Sequence, residues 1–142
     1  MLHARQRTGR AASGRGAERF VNELAGQVRR AGASGPLTLR AESGFWSAKV
    51  LAACRRHGIR FSITVRQTKT VAAAIAAIAE QAWVEIDYPN GGQAQVAETT
   101  LGPDRLIVRR TRLTGPQATL WPDWRYHAFV TNRAGSAILT LH

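Results

Sequence analysis

Leu37-Thr-Leu-Arg-Ala-Glu42 and Ile59-Arg-Phe-Ser-Ile-Thr-Val65, with the segment 43–58 between them, decide the fold. In the first stretch Leu37, Leu39 and Ala41 alternate with Thr38, Arg40 and Glu42. In the second, Ile59, Phe61, Ile63 and Val65 alternate with Arg60, Ser62 and Thr64. A period of two marks strands with one apolar and one polar face. Between them Ser43-Gly44 turns the chain, and Ser43 or Ser47 supplies an N-cap oxygen for a helix. Trp46, Val50, Ala53 and Cys54 recur at helical spacing, and Gly58, after His57, suits the position just past a helix end. Strand, helix and strand in about 30 residues form a βαβ unit, whose strands run parallel with a right-handed crossover. In open parallel sheets, sites form beyond the carboxyl ends of the strands, and Glu42 occupies such an end.

Outward from this unit, residues 17–31 read as a helix with Phe20, Val21, Leu24 and Val28 on one face, stopped by Gly32, Ser34, Gly35 and Pro36. Residues 8–16 read as a Gly/Ser/Arg loop, and 2–7 alternate weakly as a short strand. After the second strand, residues 70–82 read as an Ala-rich helix capped by Thr70, with Val71, Ile75 and Ile78 on its apolar face. The pattern then changes. Strands are predicted over 84–88, 93–100, 106–113 and 120–131, the last broken at Pro122, with turns at 89–92, 102–104 and 115–116. An α/β part (1–82) therefore precedes a β-rich part (83–142) within one domain.

The chain of 142 residues carries a net charge of +11, with 20 Lys and Arg against nine Asp and Glu. Only Lys49 and Lys69 are lysines, so the cations are almost all guanidinium forks, which match phosphate oxygens in a bidentate way. The excess is densest at the start, where residues 1–40 hold eight Arg against Glu18 and Glu23. Such a balance points to a polyanion partner, most often nucleic acid. No apolar run reaches the roughly 18 residues of a spanning helix, so no transmembrane segment is expected, and the expected partner is DNA rather than a membrane. With a single cysteine, Cys54, no internal disulfide framework exists, and a reducing, cytoplasmic compartment is the default.

Other chemistries find little support. His3, His57, His127 and His142 show no ligand pairing with one another or with Cys54, so a zinc site is not indicated. No serine sits in a Gly-x-Ser-x-Gly elbow, and Gly9 to Gly16 lacks the Gly-Lys-Ser/Thr ending of a phosphate loop. Trp121, Trp124, Tyr126 and Phe129 lie near Arg125 and Arg133 in sequence. They read as the core of a β meander, with base stacking as the alternative.

Leu37-Thr-Leu-Arg-Ala-Glu-Ser-Gly-Phe-Trp46 closely resembles the Leu-Arg-Ala-Asp-Ser-Gly-Phe motif of DDE transposases of bacterial insertion sequences, DDE domain group 1. Four further segments agree, in order: His3-Ala-Arg-Gln-Arg-Thr-Gly9, Gly14-Arg-Gly-Ala-Glu-Arg-Phe20, Ala53-Cys-Arg-Arg-His-Gly58 and Ala128-Phe-Val-Thr-Asn-Arg133. The resemblance implies a partial ribonuclease H-like fold with a β-rich insertion. It also implies an Asp-Asp-Glu triad holding two Mg2+ ions, whose second Asp falls on Glu42. A Glu there carries its carboxylate roughly 1.5 Å further, a displacement that costs on the order of a hundredfold in rate. By the same resemblance the first and third acids belong to segments before His3 and after Arg133. The chain then carries one triad position of three, reads as a truncated internal fragment, and does not bind Mg2+ productively.

The expectations are thus a DNA-binding relative of transposases, inactive alone. Arg5, Arg7, Arg10, Arg15 and Arg40 are the candidate nucleic-acid contacts, and Glu42 is the candidate catalytic and metal-binding acid. A bacterial cytoplasmic, nucleoid-associated location goes with this reading. The alternative is a non-catalytic basic nucleic-acid-binding or oligomerisation module. An open sheet edge favours self-association, or pairing with an intact transposase, and a marginal or aggregating monomer.

Overall fold

The computed structural model describes residues 14–88, 91–113 and 123–135, Gly14 and Arg15 through their backbone alone. The short strand expected over 2–7 and the turn at 115–116 lie outside the described residues. The chain is a mixed α/β protein in two compact units, one of residues up to Val65 with Thr131–Arg133, the other of Arg66–Val130 with the residues from Ala134 on. Among the described residues, no helix is long and apolar enough to cross a membrane.

The first unit contains helix α1 (Gly14–Arg30), strand β1 (Thr38–Ala41), helix α2 (Ala48–Arg56) and strand β2 (Arg60–Thr64). β1 and β2 are parallel, with Leu39 beside Phe61 and Ala41 beside Ile63, as the βαβ reading expects. Helix α1 extends three residues before the expected start, and its most buried row is Ala17, Val21 and Ala25, at i, i+4 and i+8. Two alanines in that row let α2 approach closely with Val50, Ala53 and Cys54. Polar contacts flank the helix pair: Arg56 meets Glu18 at 3.3 Å, and His57 Nε2 lies 2.7 Å from Asn22 Oδ1. Cys54 packs as a small apolar side chain, and burial pushes its thiol up to about 11.

Both helices end in the same way. The Ile59 N–H donates to the Cys54 carbonyl at 2.8 Å and the Gly58 N–H to the Arg55 carbonyl at 3.2 Å, with Gly58 at φ +63°. This pair of bonds is a Schellman motif, which needs a left-handed residue at that position. Gly32, at φ +96°, closes α1 with the equivalent pair from Ala33 and Gly32.

The backbone of β2 is also held by side chains from far along the sequence. Asn132 Oδ1 accepts from the Phe61 N–H at 2.8 Å while Asn132 Nδ2 donates to the Ile59 carbonyl at 3.1 Å. Thr131 Oγ1 donates to the Phe61 carbonyl at 2.7 Å and accepts from the Arg133 N–H. One amide thus does for two backbone groups what a neighbouring strand would do.

The second unit contains helix α3 (Lys69–Ala76) and strands β3 (Val84–Ile86), β4 (Gly92–Leu101), β5 (Asp104–Leu113) and β6 (Arg125–Thr131), whose last residue belongs with the first unit. The strand order is β6-β5-β4-β3, and β3/β4 and β4/β5 pair antiparallel. β5 carries Leu106, Ile107 and Val108 fully buried in succession, so both of its faces are covered. Val71 and Ile75 of α3 are buried, and α3 packs on β4.

Two boundaries differ from the sequence reading here. The N-cap of α3 is Thr68, whose hydroxyl accepts from the Val71 N–H at 3.2 Å, and Thr70 lies inside the helix. The helix also stops at Ala76, although the alanines favour its continuation. Ala79 adopts an extended conformation (φ −64°, ψ 141°), and a single 3-10 turn, Glu80–Ala82, delivers Trp83 into the core. Burial of an indole outweighs the few tenths of a kcal/mol per residue of helix propensity.

The Asn132 clamp generates a test. Asn132→Ala leaves a backbone donor and acceptor of β2 without partners, and we expect a loss of about 1–3 kcal/mol in urea unfolding. Asn132→Asp, which keeps the acceptor but not the donor, is expected to fall between that variant and the parent.

Candidate functional site

Glu42 follows β1 directly, at the carboxyl end of the parallel pair. Its backbone stays extended (φ −83°, ψ 171°), and its carbonyl accepts from the Phe45 N–H at 3.0 Å to open a single 3-10 turn, Ser43–Phe45. The carboxylate makes no cap hydrogen bond to this turn and is exposed. Ser47 then caps α2, its hydroxyl accepting from the Val50 N–H. Phe45 anchors the connection: it is buried, in edge contact with Phe20 at 6.1 Å between ring centroids. Trp46, expected on the helix face from its spacing, instead precedes α2 and is half-buried. The aromatic that fixes the turn is its neighbour, because the extra 3-10 turn rotates the chain before the helix begins.

Of the predicted nucleic-acid contacts, Arg40 stands exposed on β1, two residues before Glu42. Arg15 lies in α1, where only its backbone is described, and Arg5, Arg7 and Arg10 are outside the described residues. Among the described residues, no three His, Cys, Asp or Glu side chains converge as a metal cluster. Two-metal chemistry needs convergent carboxylates around ions about 3.5–4 Å apart. The described residues do not supply such a convergence.

The second unit holds a cluster that local sequence reading missed. The Arg110 guanidinium lies 4.1 Å from the Trp83 ring centroid and 4.4 Å from that of Trp124. It also donates to both Glu80 oxygens, at 3.1 and 2.9 Å, and to Gln95 Oε1 at 2.7 Å. Arg112 lies 4.3 Å from the Trp124 ring and donates to Gln93, while Gln93 and Gln95 both donate to Glu85. Tyr126 packs against Trp83 at 6.1 Å. The expected aromatic cluster is therefore divided by role. Trp124 and Tyr126 serve the arginine stack, Phe129 is half-buried on β6, Ala128 and Val130 supply the buried core of that strand, and Trp121 lies outside the described residues. The stacking cations come from β5 rather than from the neighbourhood of Arg125 and Arg133 named by sequence proximity. The available signal was alternation: Arg110 and Arg112 share one face of a strand.

Arg110 is almost wholly buried, its side chain 5% exposed, while Glu80 is 80% exposed. The hydrogen bond from Arg110 holds the Glu80 carboxyl below its ordinary value. A carboxylate lowered on folding contributes stability above its unfolded value and loses it as pH falls through the folded one. We therefore expect thermal stability to fall on acidification below about pH 4.3, and to fall less in Glu80→Gln. Arg110→Ala removes the centre of the stack and strips hydrogen bonds from Glu80 and Gln95. A loss of about 2–4 kcal/mol in urea unfolding is expected, and Arg110→Lys should recover less than half, since an ammonium cannot stack flat and bond bidentately.

No curated protein and no solved structure matches the chain. A family does: the transposase DDE domain, group 1, matches residues 1–125, which span the Glu42 strand end, α2, β2 and the arginine–tryptophan stack. The match covers most of the sequence, and the chain belongs to the transposase DDE domain family, group 1.

Proposed function

We propose that this chain acts as part of an insertion-sequence transposase of ribonuclease H-like fold, that it engages DNA, and that it does not by itself cut or join strands. The observation that carries the reading is the acid at the carboxyl end of a parallel βαβ unit. Glu42 stands at the position the family motif gives to an Asp, and no group of three metal-binding side chains accompanies it among the described residues. The net charge of +11 and the near-exclusive use of Arg support DNA as the partner. The family generally depends on Mg2+; in this chain Glu42 is the residue that would contribute to holding it.

A second reading, self-association, is favoured by β3. This three-residue strand ends the order of its sheet, and its Val84 is 49% exposed. Such an edge offers unpaired backbone groups to another chain. Light scattering that shows only monomer at tens of micromolar concentration argues against it.

The purified chain, incubated with supercoiled plasmid and Mg2+, is expected to give no nicking or strand transfer above a protein-free control, and Glu42→Ala is expected to change nothing. Mg2+-dependent cleavage abolished by Glu42→Ala contradicts the inactive part of the reading. Duplex DNA is expected to bind with an affinity that falls as salt rises, about 0.9 in log K per log salt for each phosphate neutralised.

A further inference from the structure

Parallel strands normally bury both faces and read as unbroken apolar runs. β1 and β2 do not. Their register sets Thr38 beside Arg60 and Arg40 beside Ser62, so Thr38, Arg40, Arg60, Ser62 and Thr64 share one face. The other face holds Leu39, Phe61 and Ile63, all buried. The polar face carries no apolar side chain for a helix to cover, and Arg40, Arg60 and Thr64 are exposed on it. Ser62 contributes a further observation: its hydroxyl is withdrawn from solvent and has no hydrogen-bond partner. Such groups are rare in folded proteins, so this face holds a donor without an acceptor.

We propose that the polar face of β1–β2 is the surface that receives the phosphodiester backbone of duplex DNA, with Arg40 and Arg60 as the phosphate-contacting forks. This deepens the DNA-binding reading and rests on it. Three features point to a polyanion. The two arginines lie diagonally across adjacent strands, about 8 Å apart at their Cα atoms from strand spacing and rise. A guanidinium presents its donors in a plane suited to phosphate oxygens. The hydroxyls of Thr38 and Thr64 flank the arginines and add neutral donors of the kind that commonly meet phosphates. Glu42 continues the parity of Thr38 and Arg40 and lies at the rim of the face, so a duplex held there passes the acid.

The test is fluorescence anisotropy of a labelled duplex titrated with the full chain across a salt series. Arg40→Gln/Arg60→Gln is compared with Arg19→Gln/Lys49→Gln, which removes the same charge from exposed positions of α1 and α2. The face variant is expected to weaken binding roughly tenfold or more near 0.1 M salt and to flatten the slope by about two phosphate equivalents. The helix control should move affinity far less. Thr64→Glu adds an acid at an exposed position of the same face and should also weaken binding, which keeps the test informative if the double variant misfolds. If the face variants and the helix control behave alike, the face proposal is overturned while DNA binding stands. If the parent chain shows no salt-dependent binding, both fall.

Discussion

The first unit depends on one constraint: a parallel strand pair whose side chains alternate apolar and polar can be covered by helices on one face only. Leu39, Phe61 and Ile63 meet that condition from the strands, and Ala17, Val21, Val50, Ala53 and Cys54 meet it from the helices. A one-residue slip of either strand would exchange its faces and put Arg60 or Arg40 into the apolar layer. The Schellman ends of α1 and α2, the Ser47 cap and the Asn132 clamp all fix where the strands begin and end. They therefore protect the register as much as they add stability.

The local patterns were legible because they rest on neighbours in sequence. The alternation of 59–65, the helix through Val50, Ala53 and Cys54, and the stop at Gly58 all follow from spacings of two to four residues. What was not legible rests on distance. Asn132 meets Phe61 across 71 positions, and Arg110 meets Glu80 across 30. The early end of α3 belongs to the same class, since a run of alanines carries no stop signal and the buried Trp83 supplies one. Glu42 was readable as a strand-end acid from pattern alone; its exposure and the lack of a cap hydrogen bond to its carboxylate required the geometry.

The charge also takes on a finer meaning. A net charge of +11 treats every arginine as equivalent, but the fold does not. Arg110 is caged between two indoles, Arg105 bonds to Glu98 and to the Gly135 carbonyl, and Arg29 ties down the loop after α1 through the Ala33 and Gly35 carbonyls. These cations hold structure together. Arg40 and Arg60 stand exposed on the β1–β2 face formed by Thr38, Arg40, Arg60, Ser62 and Thr64, all polar. Composition points to a polyanion partner; only the register of β1 against β2 says where on this unit it would lie.

The most direct test of this account is a map of DNA contact at residue resolution. In amide NMR spectra of the isotope-labelled chain titrated with duplex DNA, the account predicts that the largest shifts fall on Thr38–Glu42 and Arg60–Thr64, with α1 and α2 little changed. Shifts concentrated on the helices or on β3, with β1 and β2 silent, would contradict it.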